Sequence, residues 1–491
     1  MGRAFFLEKN DGLCPVKRID MAKQLDLLDK SIPPWKMIVL LAWPTVVEQL
    51  LQTAVNYVDT AMVGSIGTSA TAAVSVCSPA IWLLMGLTAG AAVGYSVIVA
   101  RRIGEGRTED ARETIRQSVL AAGVIGLALT LAVELVIAPN LPYWMKTEEA
   151  VARQAVGYFR IVGAANVFQA ALMIFSRILR CVGDAKTPLK FNILTNVINV
   201  VGNYMLIYPS RQVSIGGWSF TLHRAGMGVA GAALATAAAT AFSGGALLLV
   251  LFYRKAPTQI HLGESFRPNK EIIRQAVRLG LPSFFERATI SVGQVISTFL
   301  ISGLGTVALA AHQLSNSAES ICYMPAFGVS IAATTLVAQH LGAGEKERAY
   351  QYGRLCAMIG MGIMVVTGGT LFALAPRLIR LFTRDAAVIA LGSKVLRIQA
   401  LAEPLVGAGN VLSGVFSGAG DTRWPFFVSV IGMWLIRLPL AAILIFGFHW
   451  DLTAVWLGMA LDWAARGSIC LIHFFRRRWL NAWELRERKA I

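Results

Sequence analysis

"WPTVVEQLLQTAVNYVDTAMVG", residues 43–64, is apolar over the length of a membrane crossing yet carries two carboxylates, Glu48 and Asp59. A hydrocarbon core takes about 20 helical residues to span, and a charge at its centre costs at least about 2.5–3.5 kcal/mol. Two acids kept under that penalty need partners or a purpose. The stretch is the first of many: the 491 residues are 55% hydrophobic, with a mean hydropathy of +0.58. That composition excludes a water-soluble surface. Apolar runs predict an all-α integral membrane protein of twelve transmembrane helices, near 37–63, 69–100, 115–138, 156–179, 189–208, 228–253, 276–302, 307–339, 354–375, 393–416, 425–448 and 453–475.

The opening stretch occurs twice. Shifting the chain by 238 residues aligns Pro44 with Pro282, Glu48 with Glu286, Gly67 with Gly305, Gly90 with Gly328, Gly104 with Gly342 and Arg116 with Arg354. After one deletion the shift is 237, and "GDAKTP" (183–188) falls on "GDTRWP" (420–425). Each half holds an even number of spans, so both enter the membrane from the same side. The expected architecture is two six-helix bundles related by a pseudo-twofold along the membrane normal, an arrangement used by secondary transporters. Residues 37–253 and 273–478 are the two lobes. The polar, proline-containing stretch 254–272 is the linker, 1–36 a mostly flexible cytoplasmic segment, and 479–491 a cytoplasmic tail.

The formal charge of +17 invites a nucleic-acid reading, which the placement of the basic residues excludes. Of 45 Lys and Arg, 32 lie on the side of the termini and 9 on the other. Arg160, Arg287, Arg437 and Arg466 fall within spans. The positive-inside rule puts both termini in the cytoplasm, and the expected location is the plasma (inner) membrane. One loop is discordant: 377–397 carries five basic residues on the outer side. The six cysteines are scattered, with no metal-ligand spacing. No P-loop and no catalytic motif occurs, so neither ATP hydrolysis nor an enzyme is expected, and no cofactor.

The stretch "VDTAMVGSIGTSA" (58–70), Leu281-Pro282 followed by Glu286 and "GLGTVALAAHQ" (303–313), "FGVSIAATTLVAQHLGAGEKERA" (327–349) and the two G-D-x-[KR]-x-P turns resemble the multidrug and toxic compound extrusion (MATE) transporters. The resemblance covers residues 35–478. It implies export of organic cations and other drugs in exchange for Na⁺ or H⁺, by alternating access. It also implies that Asp59, in "VDT", and Asn199 belong to an ion site. Many relatives carry aspartate where this chain has Asn203, which leaves one titratable group there instead of two. Glu286 coincides with a glutamate implicated in Na⁺ binding in part of the family. Flippases of lipid-linked oligosaccharide and dedicated exporters of metabolites such as flavins share the architecture and remain alternatives.

The residues support a site independently. Glu48 and Asp59, three turns apart, lie on nearly one helix face. Glu48 either accepts hydrogen bonds freed at Pro44 or faces a cavity; Asp59 is either a helix-end acid or a functional one. Asn192, Asn196, Asn199 and Asn203 form a stripe on the fifth span. Asparagines also glue membrane helices, but the second half has Ser429, Met433, Ile436 and Leu440 at these positions and Ser297 at that of Asp59. A carboxylate with amide oxygens can hold a proton or Na⁺, since burial disfavours the ionised acid and hard oxygens ligate the cation. No other metal is expected. In the second half Glu286, Glu319, Glu403 and Gln313 are candidates to face a cationic substrate or to ligate an ion, set against ordinary internal pairing. Asp462, Arg466 and Arg437 are expected to neutralise one another. In the duplicated turns the aspartates are expected to cap, with an inter-lobe salt bridge as the alternative. One chain holds both lobes, so a monomer suffices; the partners are a small cationic or amphipathic substrate, the ion and the bilayer.

Overall fold

Backbone polar groups in hydrocarbon must bond within their own segment, which leaves helices as the spanning element for such a chain. The computed structural model describes residues 25–145, 149–215, 218–253, 259–261 and 263–488. Its first half contains α1 (Pro34–Gly64), α2 (Thr68–Gly104), α3 (Thr108–Ala132) running through a π turn (Val133–Ile137) into α4 (Ala138–Met145), α5 (Glu149–Ala164), α6 (Asn166–Cys181), α7 (Lys186–Ile207) and α8 (Gly228–Tyr253). Its second half contains α9 (Lys270–Ser302), α10 (Thr306–Gly342), α11 (Lys346–Arg380), α12 (Ala386–Gly418), α13 (Arg423–Val430), α14 (Leu438–Ala442) and α15 (Thr453–Phe475), followed by the short α16 (Ala482–Arg488). A π turn, Ile431–Arg437, joins α13 to α14, and a second, Ile443–Gly447, extends the same rod beyond α14. Among the described residues the rods number six in each half, twelve in all.

Eight of these helices are long and apolar enough to cross a membrane, and the pair Val151–Ala164 and Asn166–Cys181, bent by 50°, makes a ninth. The remaining rods are α7, α9 and α12. They fall short because they carry polar side chains: the asparagine stripe on α7, Glu286 on α9, and Glu403 with Lys394 and Arg397 on α12.

The duplication reappears as reciprocal contacts between the lobes. A Cβ on Gly90 of α2 would stand 2.7 Å from the Gly280 carbonyl oxygen and 3.1 Å from Phe284 Cβ, both on α9. One repeat on, a Cβ on Gly328 of α10 would stand 3.3 Å from the Ala42 oxygen and 3.1 Å from the Val46 nitrogen of α1. Gly104 meets the Gln339 oxygen at 2.0 Å and Gly342 the Arg101 oxygen at 2.2 Å in the same sense. Each contact maps onto the other by the 238-residue shift, as a pseudo-twofold requires. Glycine at these places lets backbones touch, and the touching ends of α2 and α10 lie on the side of the termini.

The chain ends reinforce that side. Leu27 is 2% exposed in a core with Met37, Val337 and Trp479, and Lys30 Nζ lies 3.0 Å from Glu345 Oε1. Leu27 is thus the anchored residue of 25–33, where Asp26, Lys30, Ser31 and Pro33 are exposed; residues 1–24 lie outside the described ones, as do 254–258 and 262 of the linker and 489–491 of the tail. In the tail, Trp483 lies 4.5 Å beneath the Arg101 guanidinium of the first lobe, while Glu484 pairs with Lys346 of the second at 2.7 Å. The two duplicated turns use their aspartates differently. Asp184 caps α7 as expected, accepting from Thr187 N at 3.0 Å and Thr187 Oγ1 at 2.6 Å, whereas Asp421 Oδ2 meets His473 Nε2 at 3.2 Å. Between α7 and α8 the chain forms an antiparallel hairpin, β1 (Pro209–Ile215) and β2 (Trp218–Ala225), that hydropathy does not reveal.

Candidate ion site

Close packing of α7 on α8 builds one wall of the site. A Cβ on Gly202 would come 3.0 Å from Ala235 Cβ, and one on Gly231 2.5 Å from the Leu206 oxygen. At this separation the hydroxyls of Thr195 and Ser243 also meet across the two helices. Asn196, Asn199 and Asn203 are 8%, 5% and 1% exposed, so the stripe faces inward among helices instead of toward lipid. Asn196 Nδ2 donates to Asn192 Oδ1 at 3.0 Å and lies apart from the carboxylate.

The opposite wall is α1, which brings half-buried Asp59 against the stripe. Asn203 Nδ2 donates to Asp59 Oδ1 at 2.6 Å. The hydrogen-bond network around Asn199 fits either placement of its amide oxygen and nitrogen, and better the one with nitrogen toward Asp59. In one, its Nδ2 donates to Thr236 Oγ1 of α8 at 3.1 Å, and its Oδ1 accepts from Asn203 Nδ2 at 3.3 Å. In the other, its nitrogen donates to Asp59 Oδ1 at 2.8 Å and Oδ2 at 3.2 Å, while Thr236 donates to its oxygen at 3.1 Å. The first puts a carbonyl oxygen against the carboxyl, which needs a proton or a cation between them; the second suits a bare carboxylate. Asn203 Oδ1 is buried with no partner. An unsatisfied buried acceptor costs about 1–3 kcal/mol, and this one sits beside the acid.

The second lobe has no such site at the equivalent place. Gly293 opens a hole beside α9 into which Met433 inserts, 2.3 Å from where a Cβ would be, and Ser297 Oγ is buried without a partner. The difference is between the lobes, whereas the scaffold beneath them is the same repeat. That repeat also decides the family: the MatE family matches twice, over residues 44–205 and 282–443, ranges that begin 238 residues apart.

The chain belongs to the MatE family. It is a multi-pass membrane transporter and not an enzyme. It is 29% identical over 450 residues to the probable multidrug resistance protein NorM of Thermotoga maritima, covering 90% of this chain and 93% of that one. It is 28% identical over 440 residues to the probable multidrug resistance protein NorM of Pseudomonas aeruginosa, covering 88% and 87%. It is also similar to the uncharacterized transporter YisQ of Bacillus subtilis, at 26% over 443 residues covering 90% and 94%. Among solved structures, a MATE in the straight conformation superposes with a TM-score of 0.85 at 23% identity, over 94% of this chain and all of that one. An outward-facing multidrug resistance MATE family transporter gives 0.84 at 23%, over 94% and 99%. These share the MatE fold.

The other acids of this MatE chain fall into separate places. Glu48 does not meet Asp59: Arg180 at the end of α6 grips both its oxygens through Nη2, at 2.6 and 2.5 Å. Glu286, its repeat partner, receives Ser429 Oγ at 3.4 Å. Glu319 and Glu403 are 4% and 0% exposed, and both Glu403 oxygens lack a partner. In this conformation the pair is enclosed within the second lobe. Gln313 is exposed on α10, and neighbouring His312 accepts from Trp456 Nε1 at 3.2 Å. Asp462 is fully buried and bound by Arg466 at 2.5 and 2.8 Å and by Arg437 at 2.8 Å. Gly432 makes the room, because a Cβ there would lie 1.9 Å from Asp462 Oδ1. Sequence reasoning missed Arg180 and Thr236. A polar residue ending one span and a threonine in an alanine-rich one carry no signal of their own.

Proposed function

We propose that this chain is an antiporter that exports organic cations, drugs or amphipathic metabolites by alternating access, in exchange for H⁺ or Na⁺, from the plasma (inner) membrane with both termini cytoplasmic. The moving bodies are the lobes 37–253 and 273–478, joined through 254–272. The observation that carries the reading is the meeting of Asp59 with the amides of Asn199 and Asn203 inside the first lobe alone. The multidrug resistance names of the NorM relatives support the substrate class.

The chain's own residues supply the coupling chemistry. A proton on Asp59 is donated to Asn199 Oδ1 in the first amide orientation, and its loss turns the amide so that nitrogen faces the carboxylate. A Na⁺ instead takes Asp59, Asn199 Oδ1 and the otherwise unpartnered Asn203 Oδ1 as hard ligands. Either occupant neutralises α1 at Asp59 and changes how α1 packs on α7. Because Ala42 and Val46 of α1 also bear on Gly328 of the other lobe, repacking of α1 reaches the interface that opens and closes. Glu286, Glu319, Glu403 and Gln313 are the second lobe's candidates to attract a cation to the cleft between the lobes; Glu319 and Glu403, enclosed here, act in a conformation that opens the second lobe.

Inverted membrane vesicles given either a pH or a Na⁺ gradient, and offered organic cations and flavins in turn, test this. Gradient-driven uptake of at least one cation is expected. Uptake that ignores both gradients overturns antiport, and uptake of flavin alone replaces the drug reading by dedicated metabolite export.

A further inference from the structure

The discordant basic loop on the side opposite the termini lies over a groove. Between the ends of α11 and α12 lies an open groove of about 730 Å³, whose basic lining is Arg380, Arg384, Lys394 and Arg397 and whose apolar lining includes Phe372 and Leu401. The three arginines of this lining carry uncompensated charge. Among the described residues only Lys394 has a carboxylate near it, Asp451 at 3.7 Å, and no ion pair is made by Arg380, Arg384 or Arg397. Asp385, the acid within the loop, is occupied in capping α12, accepting from Ala387 N at 2.8 Å and Val388 N at 3.2 Å. Arg397 is held by the groove itself, with Nε donating to the Phe372 oxygen at 3.4 Å and the guanidinium 5.7 Å from that ring. This leaves its terminal nitrogens for a ligand.

The apolar part of the lining is open to the surroundings. Leu401 is 75% and Phe372 44% exposed. On α11 Arg380 stands two turns from Phe372, and on α12 Arg397 one turn from Leu401, so charge gives way to hydrocarbon along the helix axes over roughly 6–12 Å. A cluster of basic groups at the end of a span, above exposed apolar side chains at membrane depth, has the polarity profile of a phospholipid in reverse charge. Guanidinium forks match phosphate oxygens, and the positive-inside bias disfavours basic residues on this side.

We propose that this groove binds an acidic phospholipid of the outer leaflet, its phosphate on Arg380, Arg384 and Arg397 and an acyl chain along Phe372 and Leu401. The binding is independent of the antiport reading; only the choice of leaflet rests on the cytoplasmic placement of the termini. The test is native mass spectrometry of the full chain taken from nanodiscs of phosphatidylcholine with and without phosphatidylglycerol. The wild type retains phosphatidylglycerol over phosphatidylcholine by about tenfold or more, given the attraction of several basic groups for an anionic lipid. Arg380→Ala/Arg384→Ala/Arg397→Ala removes that preference. Ala390→Trp, which fills the groove and spares every charge, lowers retention of the lipid as well, so a poorly folding triple variant does not leave the question open. Equal retention of the two lipids by the wild type, or unchanged preference in both variants, overturns the proposal. Displacement of the lipid by millimolar orthophosphate makes this a soluble-anion site and overturns it too.

Discussion

Alanine at Gly104 and Gly342 is the sharpest perturbation of the lobe interface. A Cβ at these positions would lie 2.0 Å from the Gln339 oxygen and 2.2 Å from the Arg101 oxygen, where ordinary contact needs more than 3.4 Å. The obstructing atoms are backbone of the opposite helix, so no rotamer relieves the clash and α2 and α10 must separate by more than about 1 Å. Overpacking of this kind costs about 1–3 kcal/mol. The cost falls on the conformation in which the terminus-side ends of the lobes touch, and is absent from one in which they part. At 1.4 kcal/mol per factor of ten, the closed-to-open ratio drops about five- to 140-fold for each substitution. The two sites share a crossing, so the double variant departs from additivity. Spin labels at Glu109→Cys and Glu347→Cys, exposed on opposite lobes at this side, with the native cysteines replaced, report the change as a longer distance. Gly123→Ala, with no atom within 4 Å of the new Cβ, is the control and leaves the distribution unchanged. If Gly104→Ala and Gly342→Ala lower the melting temperature without lengthening that distance, the glycines lie inside one rigid body and the two-lobe account of motion fails.

Two further outcomes separate scaffold from function. Breaking the Glu48–Arg180 pair with Glu48→Ala strands a guanidinium that is 10% exposed and costs about 3–5 kcal/mol. A double-mutant cycle with Arg180→Ala should then recover much of that loss in melting temperature; additive losses would refute the pairing. Asp462→Asn leaves Arg437 and Arg466 buried without a full countercharge, and lowers thermal stability by a comparable amount whatever substrate is offered. Normal stability with selective loss of one substrate would instead make Asp462 a recognition residue.

What was legible in the sequence was what repeats or alternates. The 238-residue shift carried the two-lobe plan because Gly90, Gly104 and their partners are held by contacts that require glycine. The asparagine stripe stood out because the second half replaces it with Ser429, Met433, Ile436 and Leu440, and the structure does bring Asn199 and Asn203 against Asp59. Contacts between residues far apart in the chain with no repeat to mark them were not legible. Glu48 is 132 residues from Arg180, so the helix around it reveals an acid in need of a partner without revealing which. Leu27 enters the core from a mixed, charged segment, because a single buried leucine leaves no periodic pattern. The enclosure of Glu319 and Glu403 depends on how α10, α11 and α12 pack, with Gly368 admitting the Glu403 side chain at 2.8 Å from its would-be Cβ. Hydropathy also ranks α7, α9 and α12 lowest as spans, and that weakness has the same cause as their interest.

The central claim, that Asp59 is the group through which ion entry drives export, is tested most directly by Asp59→Asn in cells and in inverted vesicles. The substitution keeps the size of the side chain and an acceptor for Asn203 while removing the negative charge. The account predicts wild-type abundance in the membrane with gradient-driven export abolished. Export at the wild-type rate by this variant would contradict it.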